Sequence, residues 1–99
     1  MKWLTLNEIK DQLRMERDYN DENDKLEMYG DSAEEMVLEL CQRSYDDFMA
    51  KYGKIPTPVR EASLLLVVAS YEVGSPMSMQ QMYDVGYGFG FKIKPYMKL

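Results

Sequence analysis

The side chains able to do chemistry are few in this chain and poorly arranged for it. Cys41 is the single cysteine among 99 residues, and there is no histidine. A cysteine nucleophile acts as the thiolate and needs a base or cation beside it to lose its proton. Cys41 instead falls among apolar residues at helical spacing, which predicts a small buried core residue. With one cysteine no intrachain disulfide can form. The lack of histidine also removes His-containing zinc sites and the commonest general base. Carboxylates are abundant, with Glu34-Glu35 and Asp46-Asp47 as adjacent pairs. Neighbours in sequence point to different faces of a helix, so neither pair makes an acid–base dyad.

The acidic run from Glu16 to Asn23 invites comparison with a calcium loop. An EF-hand loop begun at Asp18 needs Gly at its sixth position and Glu at its twelfth. Those positions hold Asn23 and Tyr29. Begun at Asp21, the loop puts Lys25 where an oxygen ligand belongs. The expectation is therefore no enzyme, no metal and no cofactor, and a function exercised through contacts with other macromolecules.

Charge sets limits on those partners. The chain carries a net −5, unevenly placed. Residues 1–53 hold 7 Lys/Arg against 14 Asp/Glu, a net of −7, while residues 54–99 hold 5 against 3, a net of +2. An acidic first half repels phosphate and disfavours duplex wrapping or groove reading. The asymmetry equally fits complementary acidic and basic surfaces on which copies of the chain pack. The longest apolar run, Ala62 to Ser70, is too short to cross a bilayer. Met1-Lys2-Trp3-Leu4-Thr5 lacks the apolar region of a secretory signal, so synthesis in the cytosol and no membrane contact are expected.

The elements that must carry these surfaces are helical. Hydrophobic residues make up 45% and charged residues 29% of the chain, a balance that folds. Thr5 with Glu8 makes a capping-box pattern, flanked by Leu4 and Ile9 as a hydrophobic staple, and predicts a helix over 6–15. An acidic loop then leads to a cap near Asp21 or Asn23. The stripe Leu26, Tyr29, Ala33, Met36, Val37, Leu40, Cys41 predicts a second helix over 22–43. Gly30 lies inside it at a cost of ~1 kcal/mol, but the stripe keeps its phase, so the helix continues. Ser44 with Asp47 opens a short third helix over 45–52, which Gly53 stops. After the extended Lys54-Ile55-Pro56, Thr57 as cap and Pro58 at the first position begin a fourth helix over 58–73. Its residues are apolar on nearly every side, which places it at the centre of the fold. Leu65, Leu66 and Ala69 are expected to be nearly fully buried, with Leu6, Ile9, Leu13, Val37 and Leu40 around them.

The last quarter differs: Met77, Met79 and Met82, then Tyr87-Gly88-Phe89-Gly90-Phe91, then Lys92-Ile93-Lys94-Pro95-Tyr96-Met97-Lys98-Leu99. The mixture of aromatic rings and cations suits an interface. Tyr87, Phe89, Phe91, Lys92, Lys94, Tyr96 and Lys98 are the candidate contact residues for other subunits or partners. The competing expectation is that Phe89, Phe91 and Ile93 cover an open side of the core. The fold class expected is all-α, one domain over 1–99, a small bundle of about four helices with a Gly/aromatic-rich C-terminal assembly segment over 76–99.

In this order the elements resemble the tailed-phage head–tail connector family, the small adaptors known as DNA-packaging or head-completion proteins. Four stretches carry the resemblance: Leu4 to Met15 followed by the acidic loop; Asp24-Lys25-Leu26 opening a long helix; Ile55-Pro56 shortly before Arg60-Glu61-Ala62-Ser63-Leu64-Leu65-Leu66; and the terminal Gly88-Phe89-Gly90-Phe91-Lys92-Ile93-Lys94-Pro95-Tyr96. The resemblance implies a structural virion subunit made in the host cytoplasm. It implies a ring, commonly of twelve copies, beneath the portal protein, joined to tail-completion proteins and open at its centre for DNA. It brings no catalytic or cofactor residues.

Two other functions stay open at this level. Leu4 to Leu13 also resembles the first helix of excisionase-like winged helix-turn-helix regulators. Those need a short turn and a basic recognition helix next, where this chain has Glu16-Arg17-Asp18-Tyr19-Asn20-Asp21-Glu22. A generic helical protein-interaction module is the other.

Overall fold

The structure is a computed structural model in which residues 1–74 and 92–97 are described. The candidate contact residues Tyr87, Phe89, Phe91 and Lys98 lie outside them. Four α-helices follow in order: α1 Leu6–Gln12, α2 Asn23–Cys41, α3 Tyr45–Tyr52 and α4 Thr57–Val73, with a short 3-10 turn at Lys94–Tyr96. No strand occurs among the described residues, and the fold is all-α.

The helix starts follow local chemistry. Thr5 Oγ1 accepts the Glu8 N–H at 3.1 Å, and Ser44 with Asp47 closes a reciprocal capping box. Two starts differ from expectation by one residue. Helix α2 begins after Glu22, with no side-chain cap. Helix α4 begins at Thr57, so Pro56 stands at the cap position. Pro58 has no N–H to satisfy and Val59 N donates to Pro56 O at 3.0 Å, so little is left for a hydroxyl cap to accept.

Both early helices end sooner than the expected bounds at 15 and 43. α1 stops at Gln12 because Arg14 takes a left-handed conformation (φ 61°), with Arg14 N donating to Asp11 O and Met15 N to Lys10 O. Gln42 (φ 54°) ends α2 in the same way, with Gln42 N and Arg43 N bonded to Glu39 O and Leu38 O. These are Schellman closures built without glycine. Gly53 and Gly74 end α3 and α4 at positive φ.

The core lies between α2 and α4, and α1 packs on both. Ile9, Leu26, Val37, Cys41, Phe48, Val59, Ala62 and Val67 are fully buried. Gly30 is where α2 is approached most closely: a Cβ there would meet the Met1 side chain and, at 3.3 Å, Ile9 Cδ1. The expected core is corrected at two positions. Leu66 is 1% exposed, but Leu65 and Ala69 are only half-buried. Ser63 and Ser70 take the buried phase of α4 instead, and Leu64, Leu65, Val68 and Ala69 form its half-open side. Leu6 and Leu13 pack against the core, as expected. An all-round apolar sequence does not reveal which side of a helix faces its neighbour.

Candidate assembly surfaces and their supports

Three features shape the surface, and each begins from a buried group. The first is a strap formed by the N-terminal residues. Glu34 occupies the inner phase of α2 and is 4% exposed. Its carboxylate accepts three successive backbone N–H groups: Lys2 at 2.6 Å, Trp3 at 3.0 Å and Leu4 at 2.8 Å. A buried carboxylate is tolerable when its oxygens are satisfied in this way. Trp3 Nε1 donates to Ser63 Oγ at 3.1 Å, which in turn donates to Val59 O. Arg60 closes the strap from α4, donating to Trp3 O and to both oxygens of Glu8 at 3.0–3.1 Å. The Trp3 ring stacks parallel to Tyr45, with centroids 6.3 Å apart.

The second support is Lys10, 2% exposed. Its ammonium donates to Arg17 O at 3.1 Å and Asn20 Oδ1 at 3.2 Å, which pins the acidic loop back onto α1. Arg17 also pairs with Asp11 at 2.6 Å, and this bond holds the Asp11 carboxyl below its ordinary range. The loop is thus an ordered part of the body, and the helix that follows it faces solvent with Asp24, Glu27, Asp31, Glu35 and Glu39. That is not the basic recognition helix a winged helix-turn-helix regulator requires.

The third is the end of the chain. Ile93 is 2% exposed within the core, so this stretch completes the subunit. Lys92 Nζ meets Glu61 at 2.6 Å, and Arg43 Nε donates to Tyr96 O at 2.8 Å. The Tyr96 ring sits edge-on to Tyr52 at 5.6 Å. Of the seven candidate contact residues, Lys92 pairs with Glu61 of α4 and Tyr96 packs on Tyr52 of α3, both half-buried, while Lys94 is exposed.

The groups that could have been catalytic are otherwise engaged. Burial pushes the Cys41 thiol up to about 11, away from thiolate chemistry. Glu34 is spent on backbone amides while Glu35 points to solvent, and Asp47 caps α3. Among the described residues no three His, Cys, Asp or Glu side chains come together to hold a metal ion. No described helix is long and apolar enough to cross a membrane.

Sequence reasoning passed over Glu34, Lys10 and Trp3. A signal existed for the two charges: each falls on the inward phase of its helix, where a charged residue must find buried partners. Nothing local marks Arg60 as the partner of Trp3 O and Glu8.

The chain matches the family model described as phage gp6-like head-tail connector protein over residues 4–96. It belongs to that family. No curated protein and no solved structure matches the chain. Membership makes this connector a structural component of the phage particle that acts between head and tail. The matched span includes the strap from Leu4, all four helices and the closing turn through Tyr96.

Proposed function

We propose that this connector is a ring-forming subunit that seats beneath the portal, commonly as twelve copies in the virion. It receives the tail-completion proteins on its other side and leaves a central channel for DNA. The match over residues 4–96 carries this reading. Two features support it. The body is small and closed by the strap and the closing turn, as suits a repeated unit. Its net charge of −5 lets DNA pass without the phosphate neutralisation that produces binding. The single domain spans 1–99; within the assembly segment assigned to 76–99, Ile93 is core and the exposed Lys94 is offered to neighbouring subunits or partners, and before assembly the subunit resides in the host cytoplasm. Native mass spectrometry and electron microscopy of the protein, alone and mixed with the cognate portal, test the proposal. A closed ring bound to the portal is the expected result. A chain that stays monomeric and fails to bind portal would overturn it.

A further inference from the structure

The exposed face of α2 is acidic along its length. Asp24, Glu27, Asp31, Glu35 and Glu39 recur at three- and four-residue spacing, all exposed, with Met28 among them at 49% exposure. Among the described residues, the only cation within ion-pair distance of any of these carboxylates is the Met1 amine, 2.9 Å from Asp31. Like charges lined up on one helix face repel each other by a few tenths of a kcal/mol per pair. This face costs the isolated subunit stability, and a partner that neutralises it would recover that loss.

A surface of the opposite character stands on other elements. Lys51, Lys54 and Lys94 are all exposed; Lys51 and Lys54 flank Tyr52 in the chain, and Lys94 lies two residues before Tyr96, whose ring meets Tyr52. Lys51 Nζ lies 5.5 Å from the Tyr52 ring centre, and both tyrosines are half-buried. One face thus offers carboxylates around a thioether, the other ammonium groups around aromatic rings. Carboxylate with ammonium and methionine with an aromatic ring are each favourable pairings.

We infer that the acidic face of α2, centred on Met28, docks onto the Lys51/Lys54/Lys94 end of a second copy of this chain. The contact is heterologous, because each copy offers both surfaces, and such contacts either close into a ring or run on as a filament. The inference rests on the ring reading above and supplies its subunit contact. It goes beyond that reading by naming which faces meet.

Charge reversal tests it on the full chain. One variant carries Glu27→Lys and Glu35→Lys; the other carries Lys51→Glu and Lys94→Glu. All four positions are exposed, and circular dichroism confirms that each variant folds. Sedimentation velocity and native mass spectrometry then follow assembly of each variant and of their equimolar mixture. Each variant alone should lose self-association by about tenfold or more in apparent Kd. The mixture should regain wild-type particle size, because each reversed face again meets its opposite. Variants that assemble like the wild type, or a mixture that does not recover, would overturn the pairing while leaving the ring reading intact. Wild-type protein that stays monomeric with and without portal would remove both.

Discussion

Glu34 holds Trp3 through its backbone: Oε2 accepts the Trp3 N–H at 3.0 Å across 31 residues of sequence. The neighbouring amides of Lys2 and Leu4 use the same carboxylate. Replacing Glu34 by Ala leaves buried donors without acceptors, which costs ~1–3 kcal/mol per group. Urea unfolding of Glu34→Ala should show a loss of about 3 kcal/mol or more. A loss under ~1 kcal/mol would mean that the strap contributes little to stability.

Leu66 and its neighbour Leu65 should respond differently to truncation. Leu66 is 1% exposed, and Leu66→Ala should cost ~2–5 kcal/mol through lost transfer energy and the cavity left behind. Leu65 sits on the half-open side of α4, where solvent or neighbouring chain can fill the gap, so Leu65→Ala should cost clearly less. Equal losses in chemical denaturation would show that this side of α4 is packed as tightly as the other.

Cys41 gives a pH-dependent signature. Its thiol is held protonated up to about 11, against an ordinary value of 9.0, because burial disfavours the thiolate. The unfolded chain releases this proton first, so the contribution to stability is complete below pH 9 and falls as pH rises toward 11. Cys41→Ala should lack this part of the alkaline slope. At pH 8 a thiol reagent such as DTNB should leave the native protein unmodified and react on addition of urea. Rapid labelling without urea would contradict the burial.

Gln42 and Arg14 end helices in a conformation that suits glycine. A left-handed non-glycine residue costs ~1–2 kcal/mol, partly offset by the extra freedom glycine brings to the unfolded chain. Gln42→Gly should therefore stabilise the fold, by up to ~1 kcal/mol. A drop in thermal midpoint would show that the Gln42 side chain has a role of its own.

Duplex DNA should not bind the isolated subunit appreciably. Residues 1–53 hold 7 Lys/Arg against 14 Asp/Glu, so phosphate neutralisation is unfavourable. Fluorescence anisotropy with a labelled duplex should show no salt-sensitive binding at micromolar protein. Tight, salt-dependent binding would instead favour a regulator.

The sequence by itself determined the class of the fold, the order of its helices and the boundary marks that are local. Thr5, Ser44-Asp47, Gly53 and Gly74 act through bonds within one or two turns, so their effect can be read without neighbours. The acidic character of α2 and the absence of an activating base beside Cys41 are likewise properties of composition and spacing. Tertiary structure decided three things. It chose the side of α4 that is buried, since a uniformly apolar helix has no preferred face until α2 arrives. It ended α1 and α2 at Arg14 and Gln42, where the side chain itself does not favour the left-handed turn. It also brought Glu34, Arg60 and Ser63 onto the strap across 30 to 60 residues, and seated Ile93 in the core. Contacts of that range depend on the path of the whole chain, and hydrophobic periodicity carries no information about which distant backbone a buried carboxylate will meet.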